Sequence, residues 1–339
     1  MLVNAGRGLP TWRERGKEAA HSRRRLFMTV KTDRLITLFG GGGFLGRYAA
    51  QALFKAGARV RIAEREPRRA FFLKPLCGLG QIQFVRVDLA DKGAVAAAAH
   101  GADAVVNLVG ILKGNFQAVH VEGARNVAEA AAAAGVPALV HVSAIGADPE
   151  SESAYGASKG EGEAAVRAAF PAATILRPSI AFGQEDDFVN KFARMAQALP
   201  LLPVIRGSWK LQPVHVADLG KAVALAALDP ARHAGRTYEL GGPEVTTMAA
   251  LNRWISHATG RDRPVVEIPD QLGRLVARLG FLPGAPMTWG QWLMLQRDNV
   301  ATGPGFEAFG IRPAPLAAVA EGWLTLYRKH GRFAKASQD

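Results

Sequence analysis

Apolar and polar positions repeat along the first half of the chain in one order. A short, β-prone apolar run is followed by a turn and then by an Ala-rich stretch with helical spacing. Leu35-Ile36-Thr37-Leu38-Phe39 is the first such run and reads as a buried parallel strand. Gly40 to Gly43 make the turn, and a helical pattern covers 47–56. The order recurs with strands expected over 59–64, 81–89, 104–110 and 138–143, and helices over 92–100 and 116–134. The run at 104–110 is almost wholly apolar; Asn107 within it needs a bonding partner. Five strands alternating with helices predict an α/β, Rossmann-type doubly wound parallel sheet with right-handed crossovers.

The glycine turn carries the first candidate chemistry. Gly40, Gly43 and Gly46 match the tight turn, the close backbone approach and the helix–strand packing of a dinucleotide site, with Phe44 and Leu45 lying between them. A pyrophosphate would sit on the helix N-terminus, where unpaired N–H groups face an anion. The end of the second strand bears on cofactor choice. An acid there bonds the ribose 2′-hydroxyl of NAD, whereas an arginine pairs with the 2′-phosphate of NADP. Glu64 and Arg65 stand side by side, with Arg68 and Arg69 close behind. The guanidinium fork favours NADP(H) over NAD(H). Asp88, followed by Leu89, ends the third strand; it either faces the adenine or caps the next helix. Gly110 lets the backbone approach a ligand at the end of the fourth.

Ser143 ends the fifth strand, and twelve residues later Tyr155-Gly156-Ala157-Ser158-Lys159 opens a helix expected to end near Ala169. Tyrosine and lysine at i and i+4 share one helix face. A phenol of ordinary pKa near 10 is a poor acid–base group at neutral pH, and an adjacent ammonium lowers it. Serine can hold a substrate oxygen while tyrosine passes the proton. The three are the candidate catalytic residues, and Tyr155 and Lys159 are also candidate cofactor contacts.

With these residues the chain resembles the extended and atypical short-chain dehydrogenase/reductases. The likeness continues through Leu176-Arg177-Pro178-Ser179-Ile180-Ala181-Phe182-Gly183, Glu185-Asp186-Asp187-Phe188, Leu211-Gln212-Pro213-Val214-His215-Val216-Ala217-Asp218 and Tyr238-Glu239-Leu240-Gly241-Gly242-Pro243. Within that superfamily it is most similar to the dinucleotide-binding accessory subunits of respiratory complex I (NADH:ubiquinone oxidoreductase) and their bacterial relatives. The stretches that carry this are Asn107-Leu108-Val109-Gly110-Ile111-Leu112, 177–188, Met287-Thr288, and Leu295 with Asp298-Asn299-Val300. The resemblance spans about 34–330. It implies a structural NADPH, a role in assembling or stabilising a quinone-linked complex near the membrane, and Pro178 at the nicotinamide. It also keeps open an active oxidoreductase or sugar-nucleotide epimerase using Tyr155, Lys159 and Ser143, and a redox-sensing regulator. The expected partners are complex I subunits or quinone-linked proteins, with peripheral membrane contact and no nucleic acid. The expected location is cytoplasmic, on the inner face of the respiratory membrane, and not secreted.

Composition changes this picture at the ends. The net charge is +13. Residues 1–34 hold nine basic residues and three acids, nearly half of that excess. Residues 1–33 are expected to be an unstructured leader, either a transit peptide or sequence upstream of a start at Met28. The dinucleotide domain is expected over 34–183, with its sheet completed from 211–240. A smaller interleaved α/β subdomain is expected over 184–210 and 241–330, followed by a tail at 331–339. Helical patterns there cover 188–198, 217–228, 247–259, 271–279 and 315–330. The large apolar groups of 287–295 read as core packing or as a lipid-, quinone- or partner-facing helix. His215 reads as structural, with no partner acid or metal-ligand spacing, and no metal site is expected. Cys77, the single cysteine, excludes an internal disulfide.

Overall fold

The computed structural model describes residues 33–280, 287–303 and 305–329. The expected leader and tail, and residues 281–286, lie outside them.

Seven strands form the central sheet: β1 (Leu35–Phe39), β2 (Arg59–Glu64), β3 (Ile82–Arg86), β4 (Ala104–Asn107), β5 (Leu139–Val142), β6 (Thr174–Pro178) and β7 (Thr237–Leu240). Their spatial order is β7-β6-β5-β4-β1-β2-β3. Every neighbouring pair is parallel. The order reverses between β1 and β4, the switch point outside which ligands of open α/β sheets collect.

Alternation within each strand divides the core. Ile36 and Leu38 of β1, with Val140 and Val142 of β5, pack with α1 (Phe44–Lys55) on one face. Phe39, Val105, Leu139 and Ile175 pack on the other, under α2 (Lys92–Ala99), α3 (Gly123–Ala133) and α4 (Ala154–Ala169). A π-helical stretch, Gln117–Glu122, leads into α3. Helices α5 (Phe188–Ala198), α6 (Val216–Leu228), α7 (Met248–Ala258), α8 (Asp270–Arg278), α9 (Trp289–Met294) and α10 (Leu316–Leu324) follow. Phe182, Val189, Trp209, Leu251, Ile255 and Trp323 form a further core. It is bordered by two-stranded ladders: Leu202–Ile205 with Val265–Ile268, and Lys210–Leu211 with Thr246–Thr247.

Several sequence expectations shift. Helix α1 begins at Phe44, directly on the glycine turn. Pro67 and Pro75 disguised a 3-10 helix at Pro67–Leu76. The last helix stops at Leu324 and tightens into a 3-10 turn at Thr325–Tyr327. His215 does have an acid nearby: its Nδ1 lies 3.9 Å from Asp218 Oδ2. Asp218 is engaged elsewhere, accepting from Lys221 and from Ala314 N–H, each at 2.8 Å, so the cluster pins 314 to α6. The stretches behind the resemblance act as clamps. Asn299 Oδ1 accepts from Ser179 Oγ at 2.6 Å and from Ile180 N–H at 3.2 Å. Asp186 accepts from Gly183 and Val189 N–H.

Leu38 is fully buried in the middle of the sheet. Leu38→Ala is expected to lower unfolding stability by about 3 kcal/mol, through lost transfer energy and the cavity left behind. Urea denaturation would show this as a lower midpoint with an unchanged slope.

Candidate dinucleotide site

Sterics set the turn after β1. Gly40 has φ of +81°, which side chains disfavour. A Cβ on Gly46 would lie 2.5 Å from the carbonyl oxygens of both Gly40 and Gly41. The N-cap of α1 is Gly43; no side chain caps it and its first turn holds no acid. The first-turn amides at Phe44, Leu45 and Gly46 therefore face outward without an intrahelical partner. Phe44 stacks edge-on with Tyr48 at 6.1 Å, and Leu45 packs partly buried against the core.

The ends of β2 and β3 differ in role. Glu64 accepts a 2.6 Å hydrogen bond from Gly42 N–H, so this acid braces the glycine turn. Burial raises its pKa, against the lowering pull of that N–H and of Arg65. Arg65 is exposed. Asp88 does not cap the following helix. Asp91 does, accepting from Ala94 N–H at 3.0 Å, while exposed Asp88 bonds Ala90 N–H in its own loop. Leu89 is partly buried and its carbonyl accepts from Asn126.

A polar layer replaces the apolar one where β4 and β5 end. Leu139, His141 and Ser143 alternate with Val140 and Val142, so the three point to the α3–α4 side. Asn107 Oδ1 accepts from Val109 N–H at 3.1 Å, which aims its amide nitrogen at His141 Nδ1, 3.3 Å away. His141 therefore carries its proton on Nε2, and that buried atom has no partner. The buried Ser143 Oγ has none either. Lys159 is buried on α4 and donates to the Val142 carbonyl at 3.3 Å. Burial lowers its pKa to about 8, with Glu163 pulling the other way. Glu163 is itself held by a bidentate pair with Arg177 at 2.9 and 2.7 Å.

His120 joins the layer. Its Nε2 accepts from Ile111 N–H at 2.9 Å, so its Nδ1–H donates to Ser158 Oγ, also at 2.9 Å. Ser158 donates onward to the Tyr155 carbonyl. The His120 ring stacks on Phe116 and meets Tyr155 edge-on at 5.6 Å. A Cβ on Gly110 would lie 3.3 Å from Lys159 Nζ and 3.8 Å from His120 Nε2. Burial pushes the Tyr155 phenol up to about 12. The expected lowering by Lys159 is absent because burial dominates and the ammonium is turned to a backbone carbonyl. Pro178 ends β6, and its carbonyl accepts from Ile145 N–H. A cavity of about 350 Å³ lies beyond the end of β7, lined by Gln212, Glu239, Gly241, Gly242 and Phe306.

The structure thus gathers Ser143, Lys159, Gly110 and Tyr155 beside β4 and β5. Gly40, Gly43, Phe44, Leu45, Gly46 and Glu64 surround the turn after β1. Sequence reading missed His120, His141, Ser158 and the Glu163–Arg177 pair. Two signals were available: His141 stands two residues before Ser143 on the same strand face, and Ser158 lies inside the Tyr-x-x-x-Lys spacing. Two orphaned buried polar atoms and a glycine turn closed to side chains fit a polar, phosphate-bearing ligand laid across the switch point.

Sheet order and glycine turn together define a nicotinamide-dinucleotide fold of the Rossmann type. The chain belongs to the NAD dependent epimerase/dehydratase family, whose model matches residues 36–241. The mouse protein named mitochondrial NADH dehydrogenase [ubiquinone] 1 alpha subcomplex subunit 9 is 34% identical over 293 residues, 83% of this chain and 77% of that one. Caulobacter vibrioides ceramide reductase is 32% identical over 279 residues, 78% of this chain and 84% of that one. The match spans only 62% of the Dictyostelium discoideum subunit 9 and 55% of the Arabidopsis thaliana one. Citrobacter triphenylmethane reductase complexed with NADP(H) shares the fold, with a TM-score of 0.70 over 85% of this chain and 99% of that one at 18% identity.

Gly46→Ala is expected to lower dinucleotide affinity by at least about tenfold, because the methyl group forces the turn from the helix. Isothermal titration of the refolded or native variant, its fold checked by circular dichroism, measures this. A second expectation concerns pH. Burial holds His120 down to about 4 and His141 to about 3, both below the ordinary 6.5. The unfolded chain then binds protons that the folded chain refuses. Stability from these rings is complete above about pH 6.5 and is lost as pH falls toward 4, by about 1 kcal/mol per pH unit for each ring. Urea midpoints should fall between about pH 7 and pH 5, and fall less steeply in His141→Gln.

Proposed function

We propose that this chain holds NADPH as a structural cofactor and serves as an accessory protein that assembles or stabilises a complex I-type NADH:ubiquinone oxidoreductase. It would act peripherally, at the inner face of a respiratory membrane. The similarity to the mouse subunit supports the partner class. No helix among the described residues is long and apolar enough to cross a membrane.

The observation that carries cofactor holding is geometric: the buried Ser143 Oγ and His141 Nε2 have no partner, and the Gly46 turn leaves no room for a side chain, so a bound dinucleotide would complete both halves of the site. A bound nicotinamide supplies hydride chemistry. Around it, Lys159 and Tyr155 would hold the ribose, Ser143 Oγ and His141 Nε2–H would gain partners, and the first turn of α1 would take the pyrophosphate. Preference for NADPH is supported by the basic side chain beside Glu64, whose Oε1 braces Gly42 N–H. Exposed Arg65 at the same strand end is left for a 2′-phosphate.

A second reading is an active reductase or epimerase, favoured by the complete Ser143, Tyr155 and Lys159 set. In it Tyr155 passes the proton, Lys159 lowers its pKa and Ser143 orients the substrate oxygen. The two readings part on one assay. The protein is mixed with NADPH and a panel of carbonyls and quinones, and nicotinamide absorbance is followed. Structural retention predicts no oxidation above the protein-free rate, and no difference between wild type and Tyr155→Phe. Substrate-dependent oxidation that Tyr155→Phe abolishes would establish the second reading instead.

A further inference from the structure

Helix α8 presents an apolar stripe to solvent. Leu272, Leu275 and Leu279 are 53%, 54% and 46% exposed, at the three- and four-residue spacing that puts them on one helix face. The opposite side of α8 is fixed to the body. Gly273 and Ala277 are buried, and a Cβ on Gly273 would lie 2.8 Å from the buried Trp292 ring. Arg274 and Arg278 flank the leucines and bracket the ring of Trp289 at 6.0 and 5.8 Å. Trp289 is itself 38% exposed. The only acid on the helix, Asp270, faces Arg206 at 3.8 Å. A fixed helix lying flat, with leucines outward, arginines beside them and a tryptophan at their edge, has the chemistry of an interfacial anchor. The exposed leucines forgo burial that an apolar phase would supply, and the arginines beside them, which have no acid partner among the described residues, favour a negatively charged apolar boundary.

We propose that the α8 face, with Trp289, docks this protein on an anionic lipid surface. Of the stretch 287–295, Met287 and Trp292 pack in the core, whereas Trp289 and Met294 are each 38% exposed, so it is divided between packing and an exposed face that continues the α8 stripe. This assignment rests on the peripheral membrane placement proposed above and names the surface that makes it, using no residue of the dinucleotide site. Its failure would leave NADPH binding untouched, and the reverse also holds.

The test uses the full chain, in flotation with vesicles of phosphatidylcholine alone or with about one third phosphatidylglycerol. The basic N-terminal residues attract any anionic vesicle by charge, so the informative change is neutral. The triple variant L272Q/L275Q/L279Q keeps every charge and removes only the apolar stripe. Wild type should bind the anionic vesicles at least about tenfold more than neutral ones, and the triple variant should lose about tenfold of that binding. R274Q/R278Q should shift binding toward the neutral-vesicle level. Unchanged NADPH affinity shows that each variant is folded. Equal flotation of wild type and the leucine variant would overturn the proposal. So would absent vesicle binding together with loss of copurifying protein subunits from the leucine variant, which would assign the face to a protein partner.

Discussion

Backbone contact that only glycine permits sets the position of α1, and the rest of the site depends on it. Gly46 leaves no room for a Cβ against the Gly40 and Gly41 carbonyls. On the far side of the helix, Gly220 of α6 brings its backbone against Tyr48, where a Cβ would lie 2.6 Å from the Tyr48 carbonyl carbon. Helix α1 is therefore gripped between the turn and α6 with no side chain as spacer. Glu64 closes the arrangement from β2 by taking Gly42 N–H. The result is a row of open amides held rigidly at the switch point of the sheet, at little cost in reorganisation when an anion arrives.

The second half of the site follows a different logic. Along β4 and β5 the core layer turns polar, and among its buried side-chain atoms only Ser143 Oγ and His141 Nε2 have no partner among the described residues. Asn107 fixes the His141 tautomer, Ile111 N–H fixes that of His120, and Glu163 and Arg177 neutralise the surroundings of Lys159. Such a network is costly to bury unless satisfied. The remaining donors and acceptors, Ser143 Oγ and His141 Nε2–H, mark where a ligand completes it. Burial also explains why the phenol of Tyr155 rises while the Lys159 ammonium falls: each is pushed toward its neutral form.

Much of this was legible in the residues. Short apolar stretches located β1 to β5: β1, β4 and β5 are largely apolar and buried, as central parallel strands are, while β2 and the edge strand β3 interleave Arg or Gln with apolar residues. The spacing of Tyr155 and Lys159 and the strand-end Ser143 located the polar layer. The pairing of β6 with β7 was harder, since Thr237–Leu240 returns to the sheet after an excursion of almost sixty residues whose path no local pattern encodes. His120 and His141 escaped notice because a single histidine in an apolar run looks the same whether it packs or bonds. Asp88 lost its capping role to Asp91 because both precede the helix, and which one reaches Ala94 N–H depends on loop geometry. The exposed leucines of α8 share the helical spacing of any buried face; only the fold shows which side the body covers.

Dinucleotide held by geometry rather than exchanged for catalysis is the central claim, and release of the bound molecule tests it directly. The protein would be purified without added cofactor and denatured, and any freed dinucleotide identified and counted by mass spectrometry. Close to one NADPH per chain, surviving purification, is the result this account predicts. An empty site that binds NADPH only loosely and exchangeably would contradict structural retention. No affinity for either dinucleotide would contradict the assignment of the glycine turn itself.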